Sequence, residues 1–398
     1  MPGIRLRVDR PVTATVVRSI PADAAECARV LADATADRRT VRITGSGTKS
    51  YIGDISATDI ELATERIAGV IDHVPADLTV TVGGGARIAD VAATLARAGQ
   101  FLPLDPPHAD EATVGGVIAA NSNGFWRARY GGVRDLLIGT RTALADGTVA
   151  RAGGLVVKNV AGYDLDKLLV GSFGTLGVIV EATLKVLPLP EKTDGLIARF
   201  ASPGDAFAAA DTVVRAAARV EACVVQRLAE GAWQLAVQAR GGGPTVERAL
   251  RDARREITAR HGDATALGDD LGRMRELPAR AIDGALVRVS LPLAASVAFA
   301  ENAVRIDSFA ALVVDAASGI ARVHLVNDDD DAVIRDAEAL VLSARMVGGA
   351  GRIERRAEHL RSRLPTWPTR PNGDFLMRRI KDAFDPAGIL EPGRSAFA

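Results

Sequence analysis

Between residues 12 and 20 the chain reads VTATVVRSI, apolar and polar positions alternating with the period of a strand. Residues 21–38 change to helical spacing, with Pro21 near the start. VRIT at 41–44 returns to a strand. Residues 59–74 read either as paired short strands or as a turn of helix, and 78–85 as another strand. From 86 to 103 the spacing predicts an amphipathic helix with Ile88, Val91, Leu95 and Ala98 on one stripe, stopped by Gly99 and Pro103. Residues 104–124, LDPPHADEATVGGVIAANSNG, have little period and read as loop. Apolar runs flanking Asp146-Gly147 predict a β-hairpin over 133–154. A short helix, a glycine turn and a long strand follow over 160–191, where Pro188 and Pro190 mark a boundary.

Beyond 191 strand-like runs alternate with Ala- and Arg-rich helices over 203–219, 244–261, 294–307 and 331–345. That order suggests two β-α-β units packed as one sheet covered by helices, an α+β arrangement. The end of the chain offers a strand (351–357), a Pro-rich, disorder-tolerant bridge (364–374) and a helix closing on EPGR. No internal repeat is visible across the two halves.

At 398 residues the chain is too long for one ordinary core, so two or more domains are expected. With 48% hydrophobic and 25% charged residues it has the balance of a soluble globular protein. Lys+Arg and Asp+Glu both number 49, so no net field favours nucleic acid, and 4% aromatics leave few platforms for stacking bases. Cys27 and Cys223 are too few for a disulfide scaffold and sit in apolar patterns, as reduced core residues would. No apolar run has the length of a signal core or a membrane span. The expectation is a cytoplasmic protein, able to sit at a membrane through a partner.

The chemistry concentrates in RITGSGTKSYIG, residues 42–53. Gly45 and Gly47 open backbone conformations closed to other residues, and successive amides in such a turn form a nest for an anion. Ser46, Thr48 and Ser50 add hydroxyl donors and Lys49 adds charge, a set that a diphosphate would satisfy. A dinucleotide fingerprint fails at Ser50, where glycine is required, and a Walker loop fails at Thr48. On this segment alone a polar hairpin between two strands stays open. Two further glycine-rich turns tip the balance. Thr113-Val114-Gly115-Gly116 with Asn121 can bring amides and side-chain donors to a phosphate or ribitol, and Gly171 to Ile179 can press backbone against a flat ring.

These three stretches, in this order and with FDPAGILEPGR at the end, resemble the FAD-binding oxidoreductases of the vanillyl-alcohol oxidase/p-cresol methylhydroxylase (PCMH) type, most of all the flavin subunits of bacterial glycolate oxidases. The resemblance implies a PCMH-type flavin domain of two α/β subdomains over 1–190, rejoined by a C-terminal segment over 346–398. A ferredoxin-like α+β cap over 191–345 would close on the isoalloxazine ring. Carried across by motif, it implies that Gly45, Ser46, Gly47, Thr48, Lys49 and Ser50 hold the FAD pyrophosphate. Thr113, Gly115, Gly116 and Asn121 would line the same site, with Gly174, Val178 and Ile179 along the flavin or adenine end and Asp105, Pro106 and Pro107 near them. The loop lacks the histidine of members with covalently attached flavin, so FAD is expected without a covalent bond.

A substrate site is harder to find. Catalytic subunits of related hydroxy-acid dehydrogenases gather cap histidines and a carboxylate around a metal, whereas His73, His108, His261, His324 and His359 are scattered singly and no metal site is expected. His108 alone falls by motif near the flavin, as a base or ring hydrogen bond, against the plainer reading of a structural loop histidine; His324 reads as a core or edge residue. Lys158, Asn159, Tyr163 and Asp164 read as ordering the third turn. The run Asp328 to Asp331 reads as a solvated loop favouring the next helix start. Three functions remain: a redox subunit beside a second flavin subunit and an iron–sulfur subunit, which the resemblance favours; a stand-alone oxidant of a small 2-hydroxy acid; or a noncatalytic assembly subunit. A β-branched residue at Gly47 should expel the cofactor, because its side chain would fill the diphosphate space; normal flavin content in Gly47→Val would place the loop elsewhere.

Overall fold

The structure, a computed structural model, describes residues 16–54, 56–155, 163–216 and 220–396. Asp23 sets the start of the first helix, Ala24–Ala36: its carboxylate accepts the Glu26 amide at 2.8 Å, and Glu26 Oε2 accepts the Ala22 amide at 2.6 Å. The Cys27, Leu31 and Ala34 stripe of this helix packs in one core with Val41, Ile60 and Leu62. Strands Val17–Ser19, Ile60–Ala63 and Val41–Thr44 form a three-stranded parallel sheet in that spatial order. Residues 59–74 are therefore two strands, and they join different sheets: Val70–Val74 lies at the edge of a five-stranded antiparallel sheet. Its other members, in spatial order, are Thr79–Gly83, Val178–Lys185, Leu137–Ala143 and Val149–Gly153. The hairpin turn falls at Asp146-Gly147 as expected, with Gly147 at φ +85° and the Asp146 carboxylate accepting the Thr148 amide.

The amphipathic helix is Ile88–Ala96, so Ala98 falls beyond it in the Gly99 turn. The aperiodic stretch 104–124 is not all loop. Val114–Ala120 is a helix, capped by Thr113 and ended by Asn121 in the left-handed conformation. Seven residues with two adjacent glycines carry too little propensity to announce themselves; the burial of Val114, Val117 and Ile118 holds the helix.

The cap is one antiparallel sheet of eight strands, and its order exposes a repeat absent from the sequence pattern. Lys192–Phe200, Val220–Leu228, Trp233–Gly241 and Asp263–Ala266 form a β-α-β-β-α-β unit with helices Pro203–Ala216 and Gly243–Thr258. Ala285–Ser290, Phe309–Asp315, Ile320–Leu325 and Ala350–Arg356 repeat it with helices Ser296–Ala303 and Asp330–Met346. The second strands of the two units, Val220–Leu228 and Phe309–Asp315, pair antiparallel and fuse them. The two expected β-α-β units are thus two complete split β-α-β folds. The expected cap boundary at 345 is short of the last strand, since Ala350–Arg356 pairs with Ala285–Ser290 and Leu360 and Leu364 complete the cap core. The four long helices cover one sheet face, where Val287, Val289, Val323 and Ile353 are fully buried. The opposite face turns toward the first domain: Phe125 from that domain packs with Leu286 and Val313.

The Pro-rich bridge is packed rather than loose, with Thr366 fully buried and donating from its amide and hydroxyl to Asp54 at 3.0 and 2.9 Å. The chain then returns to the first sheet: the Val41 amide donates to Ile389 C=O and the Glu391 amide to Val41 C=O. Helix Asp374–Phe384 is held there by Lys381, whose Nζ donates to Thr175 C=O at 2.8 Å and Leu390 C=O at 3.0 Å beside the Asp385 carboxylate. Lys381→Met should lower the free energy of unfolding by about 2 kcal/mol, measured by urea denaturation, because buried acceptors lose a charged donor; unchanged stability would mean this lysine does not anchor the C-terminal segment.

Candidate functional site

Three separated segments meet at Gly84. Its amide donates to Val180 C=O at 2.9 Å, and its own carbonyl accepts the Gly115 amide at 2.7 Å. A Cβ on Gly84 would lie 1.9 Å from Ile179 O, and one on Gly85 would lie 1.9 Å from Thr64 O. Only glycine permits this crossing. It brings the Gly45–Ser50 loop, the helix starting at Val114 and the strand starting at Val178 onto one cavity of about 210 Å³. Every residue from Gly45 to Ser50 lines it, with Thr113, Gly115, Gly116, Gly174, Val178 and Ile179.

The loop looks into this space with unused donors. The amides of Ser46, Gly47, Thr48 and Lys49 make no hydrogen bond among the described residues, while Ser50 N donates to Gly47 O to close the turn. Gly47 sits at φ +76°, and a Cβ there would meet nothing within 4 Å. The glycine is thus kept by conformation and faces open space. Gly115 and Gly116 serve otherwise than expected. Their amides are taken by Gly84 O and Thr113 Oγ1, so they act by close packing and not by donating to a ligand.

Other expected residues lie off this cavity. Asn121 lines a neighbouring pocket. Asp105 is buried and accepts the Phe125 and Trp126 amides at 2.8 and 3.2 Å, and burial pushes its carboxyl up to about 7. It staples the 121–126 loop and faces no cleft; Pro106 is also off the cavity, and Pro107 joins the Asn121 pocket. His108 lines neither space. Its amide donates to Glu276 of the cap at 2.9 Å, and burial, with Lys49 nearby, lowers its imidazole pKa. Lys158 and Asn159 lie outside the described residues.

Sequence reasoning missed Gly84, Phe173, Glu391 and Arg394, all lining the cavity. The triple glycine 83–85 at a strand end is the signal that could have given Gly84. Glu391, which accepts the Ile43 amide at 2.6 Å and pairs with Arg394 at 3.1 Å, arrives only through the C-terminal return.

The cavity continues in two directions. A space of about 350 Å³ shares Gly45, Ser46 and Thr113 with it and runs on past Gly85 and Arg87. On the other side Lys49 and Ala120 are shared with the pocket between the flavin-type domain and the cap, walled by Tyr51, Asn121, Arg288, Arg322, Arg352 and Glu354. Lys49 is buried and its Nζ donates to Pro107 O at 2.8 Å. Burial lowers it to about 8, opposed by Glu354 and Glu276. Burial alone would raise Glu354, yet Arg322, Arg352 and Arg288 hold it down at about 2. Free loop amides, an open glycine cradle and an elongated run of joined cavities fit an extended dinucleotide with its diphosphate at Ser46–Lys49.

Comparison with known proteins agrees with that donor set. The profile of the FAD binding domain matches residues 16–153, and that of the FAD linked oxidases, C-terminal domain, matches residues 319–395. The chain thus carries an FAD binding domain and a C-terminal domain of the FAD linked oxidases. Its cofactor is FAD. It is 41% identical to glycolate oxidase subunit GlcE of Escherichia coli (strain K12) over 159 residues, 39% of this chain and 45% of that protein. Against glycolate oxidase subunit GlcD of Bacillus subtilis (strain 168) the figure is 36% over 182 residues, 45% of this chain and 38% of that one. The chain is 35% identical to D-lactate dehydrogenase of Archaeoglobus fulgidus over 170 residues, 42% of this chain and 38% of that one. It therefore aligns with less than half the length of each of these relatives. The fold is that of p-cresol methylhydroxylase (TM-score 0.73, 15% identity, 95% of this chain and 88% of that one) and of alkyldihydroxyacetonephosphate synthase (TM-score 0.71, 16% identity, 94% and 75%). Among the described residues no helix is long and apolar enough to cross a membrane, and no three His, Cys, Asp or Glu side chains gather where they could hold a metal ion.

Lys49 gives this site a pH dependence with a definite sign. An anionic cofactor favours protonated Lys49, whose pKa without ligand is about 8, so FAD affinity should fall as pH rises above that value. Fluorescence titration between pH 7 and 10 should show this loss in the parent and a flat profile in Lys49→Met; a flat profile in both would remove Lys49 from the cofactor's field.

Proposed function

We propose that this chain is an FAD-binding subunit of a glycolate oxidase-like assembly, holding FAD without a covalent bond and taking part in the oxidation of a small 2-hydroxy acid. In this reading Gly45 to Ser50 seat the diphosphate, and Thr113, Gly174, Val178 and Ile179 line the cofactor's path. The bound flavin supplies two-electron chemistry. Electrons then leave to an iron–sulfur partner, with a second flavin subunit alongside. The carrying observation is the set of unpaired amides over Ser46–Lys49 at the centre of the joined cavities, supported by the 41% identity to a glycolate oxidase subunit.

A second reading, oxidation of a 2-hydroxy acid by this chain alone, is favoured by one feature: arginines of the cap face the cleft next to Lys49. The two readings separate in anaerobic spectra. Purified alone, the protein should be yellow and should keep its oxidised flavin spectrum when glycolate or D-lactate is added, with bleaching restored by the partner subunits. Bleaching of the isolated chain would favour the second reading. A colourless protein that takes up no FAD would overturn both.

A further inference from the structure

Helix Asp374–Phe384 is amphipathic in sequence, DFLMRRIKDAF, yet none of its residues is buried. Its inner side is accounted for. Ile380 and Phe384 pack against the core of the five-stranded sheet, and Lys381 Nζ donates to Thr175 C=O at 2.8 Å and Leu390 C=O at 3.0 Å. Its first turn is not. Phe375, Leu376 and Met377 are 60, 50 and 41% exposed, three consecutive apolar side chains at the outer end of a helix whose far end is anchored. Single exposed apolar residues are ordinary, whereas a contiguous group ringed by charge has the anatomy of an interface centre and its rim. The ring is cationic. Residues 370–382 carry Arg370, Arg378, Arg379 and Lys381 against Asp374 and Asp382, in a chain with 49 charges of each sign. Arg370 reaches Asp374 at 3.6 Å and Arg378 reaches it at 4.0 Å, while Arg379 makes no hydrogen bond or ion pair among the described residues.

This apolar knob stands beside the cofactor cleft. Thr175, which accepts from Lys381, follows Phe173 and Gly174 on the cleft wall. Phe375 to Met377 lie one to two turns back along the helix from Lys381, about 6–9 Å. From the other side the chain enters the helix from Trp367. The Trp367 ring meets Phe173 edge-on at 6.2 Å, and its Nε1 donates to the carbonyl of cleft-lining Arg394 at 3.4 Å.

We propose that Phe375, Leu376 and Met377, with Arg370, Arg378 and Arg379 around them, form the docking surface for the iron–sulfur partner, a protein presenting an apolar pocket rimmed by carboxylates. This rests on the reading that the chain works within an assembly, and adds where the partner sits and what surface it offers. Charge complementarity selects the acidic rim. Nearness to the cleft wall selects a partner that exchanges electrons with the cofactor over one that only scaffolds. A lipid surface fits less well: with Ile380 and Phe384 turned inward, the free apolar residues gather at one end of the helix, and no lengthwise stripe is left to lie in a bilayer plane.

The test uses the full chain, tagged and expressed from its own chromosome. It should elute from gel filtration in a complex larger than one chain, in which mass spectrometry and the visible spectrum identify an iron–sulfur subunit. Phe375→Ser should weaken association with that purified subunit roughly tenfold or more, as for loss of an apolar anchor. Association of the parent should weaken as salt rises, and Arg379→Glu should weaken it further at low salt. Both positions are exposed, so both variants should keep the parent's flavin content and melting temperature; if Phe375→Ser does not fold, Arg379→Glu carries the test alone. Variants that bind the subunit like the parent would overturn the surface and leave the assembly reading standing. A parent that elutes as a single chain would overturn both. A complex without an iron–sulfur subunit, or flotation of the parent on phosphatidylglycerol vesicles that Phe375→Ser abolishes, would overturn the choice of partner.

Discussion

The contact on which the site depends is the crossing of backbones at Gly84. Three chain segments, from residues about 64–67, 115 and 179–180, pass within hydrogen-bonding distance of the 83–85 triplet. Any side chain there would force them apart, since a Cβ on Gly84 or Gly85 would fall 1.9 Å from a carbonyl oxygen. Because they do meet, the helix at Val114–Ala120 and the strand at Val178–Lys185 become the walls of a cleft whose floor is the Gly45–Ser50 loop. The unpaired amides of that loop would be an expense in a closed core, where each costs ~1–3 kcal/mol. At the open centre of a cleft they are free to donate to an anion.

The cap answers a different constraint. Two split β-α-β units fused through Val220–Leu228 and Phe309–Asp315 give one wide sheet whose faces differ completely in character. The helix side is continuous apolar core. The domain side mixes an apolar patch around Leu286 and Val313 with polar clusters that lock it to the flavin-type domain. At one such cluster Arg240 stacks between Phe101 at 4.7 Å and Trp126 at 4.2 Å, while Trp126 Nε1 donates to Gln238 and Tyr130 to Glu221. That clamp ties the cap to the first domain at a second place on their interface.

Much of this was legible in the chain. The switch between periods of two and 3.6 located the first helix, the Asp146-Gly147 hairpin and the alternating elements of the cap, because those elements bury one face each and must repeat accordingly. The donor-rich turn from Gly45 to Ser50 was legible from residue types alone, since glycines and hydroxyls act there through local backbone geometry. Cys27 and Cys223 proved free and buried, as their apolar surroundings indicated.

What the chain order could not show was long-range pairing. The helix at Val114–Ala120 exists because tertiary burial outweighs two glycines, and it reversed the role of Gly115 and Gly116 from donors to packing surfaces. The repeat in the cap is one of topology, and the alignment of Arg288, Arg322 and Arg352 depends on strand registers set by pairing between segments far apart in the chain. Glu391 reaches the cleft only after the chain has traversed the whole cap and returned to Val41. Local sequence determined the elements and the donor-rich turn at Gly45–Ser50, whose geometry needs only neighbours. Tertiary structure decided which side chains share a pocket, because register and domain packing are settled by burial summed over the entire chain.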